Sequence, residues 1–455
     1  MRFVRARELS LLFLGDLFFL YVSLWFTLLV RYVTIPSEQL LTAHLTPFSI
    51  LFAVWLLMFF IVGLYDQHTT LMHAKLPDRI VRVQIGNVIL AALFFFFVPI
   101  FGIAPKTNLV LYLFISSTLI VFWRIAIVPK VLRRKRVPAL LIAGGVEYKD
   151  LHDEINNNSR YPFYFSDSLR IDHADGGSLS DQIFAKLKDP SLEFVVVDIH
   201  HRKLEHILPH LYKPIFSNVR FIDVRDLYEE IFERVPLSVL NDPQFVETLA
   251  ETRVSPWYMA AKRLIDIVGA LIMGFFTLLV SPILWFLMWL EGPGPLVIAQ
   301  NRMGQGGKRI HSYKFRSMTH NDHASAEWVG EGKNTVTKLG GILRRISLDE
   351  FPQFINVLKG EISMIGPRND IEGLAKRLAE AIPYYEFRYM VKSGLTGWAQ
   401  INQQYEPGNI SPQSIEETKM RLAYDFYYIK NRSLMLDVMI ALKTLKRMLF
   451  RMSSW

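Results

Sequence analysis

The chain has 455 residues and no cysteine, which excludes a disulfide scaffold, a thiol nucleophile, a cysteine-type zinc site and an iron–sulfur cluster. At roughly 150 residues per domain, this length predicts about three domains. The net charge of +9 is a sum of unlike blocks: residues 1–136 hold 14 Lys+Arg against 5 Asp+Glu, residues 137–255 hold 12 against 20, and residues 256–455 hold 25 against 17. Two basic blocks around an acidic one are not the basic surface that nucleic-acid binding requires, so nucleic acid is not an expected partner.

The first basic block is mostly hydrocarbon. Four apolar runs occupy Leu9–Val30, Pro47–Leu64, Ile80–Phe101 and Leu109–Val128; each is close to the roughly 20 residues that cover a bilayer core. One such run suits a buried helix of a soluble domain, but four in succession predict a four-span bundle over residues 1–136. The first run is too long for a signal peptide and lacks a small-residue cleavage site, so it is expected to remain as an anchor. Basic residues alternate across the connections: Arg2, Arg5 and Arg7; Arg31; Lys75, Arg79 and Arg82; Lys106; then Lys130, Arg133, Arg134, Lys135 and Arg136. This alternation places the N-terminus and everything after residue 130 in the cytoplasm. Asp16 and Arg124 sit near the cytoplasmic ends of their spans, and Arg124 is expected to snorkel to the headgroups ahead of pairing with Asp16.

Residues 137–250 alternate strand-like and helix-like segments. Ala139–Gly145, Leu192–Ile199 and Asn218–Val224 read as strands, and Glu147–Asn156, Asp181–Lys188 and Leu204–Leu211 as helices. That order predicts a Rossmann-like parallel α/β domain. Its first turn, Ala143-Gly144-Gly145-Val146-Glu147, lacks the third glycine of a dinucleotide fingerprint, and Glu147 and Asp150 put negative charge where a pyrophosphate would sit. The domain is therefore expected to hold no nucleotide and to act structurally or in regulation.

A third domain is expected over 256–455. It opens with an apolar segment, Leu264–Leu290, interrupted only by Asp266 and preceded by Lys262 and Arg263. A full crossing would carry the 23 basic residues after it to the far side. Pro282 removes one helical bond and the Ser281 hydroxyl can satisfy a freed carbonyl, so Ser281-Pro282 predicts a helix–break–helix. The segment 262–290 is thus expected to be re-entrant, returning to the cytoplasmic face; a kinked complete span is the alternative. At the C-terminus, Leu436–Met452 sets Val438, Ile440, Leu442, Leu445, Met448 and Leu449 against Lys443, Lys446, Arg447 and Arg451. Such a helix suits an anionic membrane surface or packing on the protein core equally well.

Between these helices lies the chemistry. Arg302 and Lys308 lie in the glycine-rich Gln300–Lys308 stretch, and Lys314, Arg316 and Ser317 follow in Tyr313–Met318. Glycine interleaved with cations suits a loop approaching phosphate, although hairpin turns collect the same residues. The sharper element is Arg344-Arg345-Ile346-Ser347-Leu348-Asp349-Glu350-Phe351-Pro352-Gln353. Ser347 with Glu350 has capping-box spacing, but Pro352 is easier at the start of a helix than inside one. A helix starting there puts Asp349 and Glu350 at its positive end beside two arginines, which keeps both carboxylates ionised. One carboxylate could then attack phosphorus while its neighbour holds a divalent metal.

Lys262-Arg263-x-x-Asp266, Ser281-Pro282, Lys314-Phe315-Arg316-Ser317-Met318, Asp349-Glu350-Phe351-Pro352-Gln353, Gly366-Pro367-Arg368 and Gly394-Leu395-Thr396-Gly397-Trp398-Ala399-Gln400 appear in this order. Together they resemble the bacterial sugar transferases, monotopic polyprenyl-phosphate sugar-1-phosphate transferases that begin lipid-linked glycan assembly. The four spans and the Rossmann-like domain resemble the large members by architecture. The fold expected is a membrane protein with an α-helical four-span bundle, a Rossmann-like α/β middle domain, and a mostly α-helical catalytic domain with a re-entrant membrane helix.

The resemblance implies transfer of a phospho-sugar from a nucleoside diphosphate sugar, a UDP-sugar first, to undecaprenyl phosphate at the bacterial inner membrane. The active site would face the cytoplasm and serve exopolysaccharide, capsule or O-antigen synthesis. It implies Asp349 as nucleophile of a phospho-aspartyl intermediate, Glu350 with Asp349 at Mg²⁺, and Arg316, Arg344, Arg345 and Arg368 as phosphate contacts, to which the glycine- and cation-rich stretches add Arg302 and Lys314. A homodimer is allowed. Asn369 and Ser393 stand where the family often has proline, which bears on the substrate more than on the reaction class. The competing reading is a membrane-anchored nucleotide-sugar oxidoreductase or epimerase, for which Tyr258 and Lys262 have the Tyr-x-x-x-Lys spacing. Interfacial tyrosine and lysine explain that pair more simply.

Overall fold

A computed structural model describes residues 2–65, 76–101, 106–131, 136–158, 161–172, 176–208, 219–251, 254–318, 336–405 and 411–452. Lys75, Arg133, Arg134 and Lys135 of the charge alternation lie outside these residues, as do 209–211 and Asn218 of the expected α/β elements. The chain forms two compact units, Met1–Pro138 with Ile155–Tyr164, and Ala139–Glu154 with Phe165–Trp455.

The first unit holds four long apolar helices, Arg2–Tyr32, Glu38–Ile61, Leu76–Phe97 and Lys106–Phe122, the last continuing through a π-turn, Trp123–Ile127, to Val131. All four are long and apolar enough to cross a membrane. They close around Leu20, Leu24, Phe48, Phe52, Trp55 and Tyr112. The second begins nine residues before Pro47, because Ser37 accepts from the Leu40 N–H at 3.3 Å and caps it. Pro47 is carried inside the helix rather than starting it.

Arg124 does not snorkel. It is buried against Asp16, with Nε donating to Oδ1 at 3.1 Å, a second contact from Nη2 to Oδ2, and Nη1 donating to the Leu64 carbonyl at 2.6 Å. The Tyr65 hydroxyl donates to the same carboxylate at 2.8 Å. A guanidinium with a carboxylate and a backbone carbonyl as partners in the bundle is satisfied without reaching water, which is why pairing prevails. Gly15 makes the approach possible, since a Cβ there would fall on the Trp123 indole.

The second unit opens with a sheet ordered β2-β1-β3-β4, in which β1 (Val137–Ala143), β3 (Phe194–Val197) and β4 (Arg220–Asp223) run parallel. Strand β2 (Phe163–Arg170) was not legible, because its exposed face carries Tyr164 and Ser166 where an apolar run would have marked it. Arg202–Leu204 is a 3₁₀ turn, where the sequence predicted a helix from Leu204. The Gly145 N–H, which would face a pyrophosphate, instead donates to Asp172 at 2.7 Å.

The long apolar segment is a single helix, Pro256–Glu291, which does not break at Ser281-Pro282. The Ser281 and Thr277 hydroxyls donate back to the Thr277 and Met273 carbonyls at 2.6 and 2.7 Å, their own i−4 carbonyls rather than the Leu278 carbonyl that Pro282 leaves without its donor. Both halves pack on the same part of the second unit: Ala270 joins Ile310, Val357 and Ile362, while Leu284 and Met288 join Phe315 and Leu343. Its other side exposes large apolar groups from Leu264 through Phe275 and Leu278 to Trp289. The C-terminal helix Leu434–Met452 packs on the protein through Leu436 and Ile440, with Lys443 over the Trp398 ring at 4.8 Å. Its outward stripe is apolar, Met435, Val438 and Leu445.

Candidate functional site

The candidate site is built around the antiparallel hairpin β5 (Val297–Met303) and β6 (Arg309–Phe315). Register pairs Ile298 with Lys314 and Arg302 with Ile310, and the period of two puts Gln300, Arg302 and Lys314 on one face. The glycine-rich stretch is the hairpin tip, where Gly306 and Gly307 take φ of 66° and 70°.

The Asp-Glu motif lies in a 3₁₀ turn, Leu348–Gln353, followed by the helix Phe354–Lys359. Ser347 is left-handed (φ 59°) and its side chain caps nothing, which disposes of the capping box. The α-helix starts at Phe354, two residues beyond Pro352, because the proline is accommodated in the tighter turn. Buried Asn356 fixes this turn to the hairpin: its Oδ1 accepts from Tyr313 N–H at 3.2 Å and its Nδ2 donates to the His311 carbonyl at 2.7 Å.

Glu350 faces two cations. Its Oε1 accepts from Lys314 Nζ and from Arg368 Nη2, each at 2.7 Å. Burial raises its pKa, but Arg368, Lys314 and Arg302 outweigh that and hold it far below the usual carboxylate range. Burial pushes Lys314 down to about 8 despite Glu350. Asp349 is different. It is buried, burial raises its pKa against the pull of Lys314, Arg344 and Arg368, and nothing among the described residues hydrogen-bonds to its carboxylate. The two acids are thus unequal, one locked in an ion network and one under the pull of cations yet without a hydrogen bond among the described residues.

Arg368 comes from the loop after β7 (Ser363–Ile365), which pairs in parallel with β8 (Gly394–Thr396). A Cβ on Gly394 would fall on the Gly366 nitrogen and one on Gly397 on the Gly366 carbonyl oxygen, so the glycines of the two motifs exist to let these backbones touch. Arg344 half-faces the site, its Nε donating to Ser317 Oγ at 3.2 Å, and Arg345 is exposed. Arg302 is buried and donates to the Asn369 carbonyl at 2.8 Å and to Gln300. Arg316 donates to the carbonyls of Met288, Gly292 and Pro293 at 2.6–2.9 Å, capping the end of the long helix. Ser281 and Pro282 lie within that helix.

The Lys262-Arg263-x-x-Asp266 motif anchors the same helix at its other end. Lys262 donates to the Ile365 carbonyl and to Asp437, each at 2.9 Å, Arg263 to the Val357 and Leu358 carbonyls, and Asp266 accepts from Ser363 Oγ and Met364 N–H at 2.9 Å. Tyr258 also donates to Asp437, so the Tyr-x-x-x-Lys spacing serves this anchor. Asp370, Arg388, Arg421 and Asp425, a buried ion cluster behind Arg368, went unnoticed in the sequence. The signal available was charge inside otherwise apolar stretches, as at Leu422–Ile429.

Mg²⁺ takes one or two carboxylates and completes its shell with water and substrate phosphates. Asp349 and Glu350 fit that mode, since Lys314 and Arg368 both use Oε1 and leave Oε2. Among the described residues no group of three His, Asp or Glu forms a preformed cage.

Residues 257–451 match the family model for bacterial sugar transferases. A UDP-N-acetylgalactosamine-undecaprenyl-phosphate N-acetylgalactosaminephosphotransferase of Aeromonas hydrophila is 36% identical over 51% of this chain and 53% of its own length. A UDP-glucose:undecaprenyl-phosphate glucose-1-phosphate transferase of Escherichia coli K12 is 38% identical over 44% and 42%. An exopolysaccharide production protein of Rhizobium leguminosarum bv. phaseoli is 34% identical over 41% of this chain and 94% of its own length. The chain spans about half the length of the first of these relatives. It belongs to the bacterial sugar transferase family.

Proposed function

We propose that the protein transfers a sugar 1-phosphate from a UDP-sugar to undecaprenyl phosphate, the substrates named for its relatives in Aeromonas and E. coli. The observation that carries this reading is the unequal pair: a carboxylate at Asp349 that accepts no hydrogen bond among the described residues, beside a Glu350 already neutralised by Lys314 and Arg368. An Asp349 oxygen attacks the sugar-bearing phosphorus, the bond to the bridging oxygen breaks, and the nucleoside monophosphate leaves. An oxygen of the lipid phosphate then attacks the same phosphorus and displaces the Asp349 carboxylate. The relay spares the site from holding a water-soluble donor and a lipid acceptor at once.

Lys314, Arg344 and Arg368 pull on the Asp349 carboxylate and would hold phosphate oxygens beside it, and Mg²⁺ at Glu350 and Asp349 would supply further charge neutralisation. A site confined to one face of the membrane is supported by the long helix, and the charge alternation of the first unit is what makes that face the cytoplasmic one. If Pro256–Glu291 crossed the bilayer, Lys262 and Met288 would lie on opposite sides, yet Lys262 reaches the Ile365 carbonyl and Met288 packs on Phe315 and Leu343 within one compact unit. Entry and exit by a single leaflet accounts for packing along one side and exposed hydrocarbon along the other. Asp349→Asn in detergent with UDP-sugar and Mg²⁺ tests the chemistry: loss of monophosphate release is expected, and retained release overturns the nucleophile assignment.

A further inference from the structure

Arg368 can meet Glu350 only if the backbone that carries it is held still, and the holding is done from behind by groups outside the catalytic motifs. Residues Arg368–Asn369–Asp370 form a strap. The Arg368 carbonyl accepts from Arg388 Nη2 at 2.7 Å, the Asn369 carbonyl and Oδ1 accept from Arg302 Nη1 at 2.8 and 3.1 Å, and the Asp370 carbonyl accepts from Met303 N–H at 2.9 Å. The far end of the strap is the Asp370 side chain. Its Oδ1 accepts from Arg421 Nη2 at 2.9 Å, and its Oδ2 accepts from Tyr385 at 2.7 Å, from Tyr389 at 3.3 Å and from Arg388 Nη1. Arg388 reaches on to Asp425 at 2.8 Å.

Stability alone does not call for this cluster. Burying two arginines and two aspartates has a desolvation cost that well-packed apolar groups would avoid, and the Nε atoms of Arg388 and Arg421 are buried without partners among the described residues. What the cluster supplies is direction. One guanidinium, Arg388, binds the Asp370 carboxylate with one nitrogen and the Arg368 carbonyl with the other.

We propose that Asp370 is a positioning residue for phospho-sugar transfer: through Arg388 and Arg421 it fixes the strap that aims Arg368 at Glu350 beside Asp349. The role rests on the transferase reading above. Misplacement of a binding group by about 1 Å costs about 10²-fold in rate. The full-length protein in detergent is assayed for monophosphate release from UDP-sugar with Asp370→Asn alone, with Arg368→Lys alone, and with both. Asp370→Asn is expected to lower kcat/KM about 10²-fold in the wild-type background, to be partly rescued by Asp370→Glu, and to cost no more than about twofold on top of Arg368→Lys. An equal loss in both backgrounds means a general structural role and overturns the proposal. Tyr385→Phe, which removes one donor to Asp370, runs the same cycle if Asp370→Asn does not fold. A wild-type protein that releases no monophosphate overturns the transferase reading and this role with it; an active wild type with an additive cycle overturns this role alone.

Discussion

Lys314 gives the site a titration that can be read in the rate. Its ammonium lies half-buried on β6 against Glu350 at 2.7 Å, and desolvation there, seconded by Arg302 and Arg368, brings its pKa down from 10.5 to about 8. The sign follows directly: the charged form is present below that value and is lost as pH rises through it. About nine-tenths of Lys314 is then protonated at pH 7 and about one-tenth at pH 9, so a step that needs the cation slows roughly tenfold between them. Arg302, the other cation on that face, falls only to about 10 and stays charged over this range. The assay is single-turnover monophosphate release at subsaturating UDP-sugar without acceptor lipid. It reports the free enzyme and leaves the titration of the lipid phosphate out. Lys314→Arg, whose guanidinium does not deprotonate, is expected to lose the alkaline limb. A rate that stays flat from pH 7 to 9, or a limb that survives in Lys314→Arg, refutes the reasoning. Stability moves the other way, because the unfolded chain binds the proton more tightly: the contribution of Lys314 to stability rises as pH climbs from about 8 towards 10.5.

The buried pair in the first unit makes a second prediction. Asp16→Asn or Arg124→Gln alone leaves an uncompensated buried charge and should cost about 3–5 kcal/mol, whereas the double variant should recover most of that; thermal unfolding in detergent reads both, and additive losses would rule the pairing out. A third concerns the long helix. Since the chain has no cysteine, Gly292→Cys introduces a single thiol, which should label only with reagents admitted to the cytoplasmic side; labelling from the periplasm would show a complete span.

What the sequence could determine follows from physics that is local in the chain. An apolar run long enough for a bilayer is the same fact whether or not the helix is seen, so the four helices of the first unit were legible, and so was the order of the catalytic motifs. The elements that escaped are those decided by a partner far away. Arg124 was expected at the headgroups because, taken alone, a cation in hydrocarbon has nowhere else to go; Asp16, 108 residues earlier, gives it somewhere. Ser281-Pro282 looks like a break in one dimension, yet the helix runs on past it and packs on the hairpin and its neighbours at both ends. The cations divided in the same way. Sequence showed that they cluster, but only tertiary structure assigned Lys314 and Arg368 to Glu350, Arg316 to a helix end and Arg302 to the Asn369 carbonyl. Asp349 and Glu350 are neighbours with similar intrinsic acidity. Their difference arises entirely from which cations the fold brings within 3 Å, and no reading of adjacent residues contains that distance.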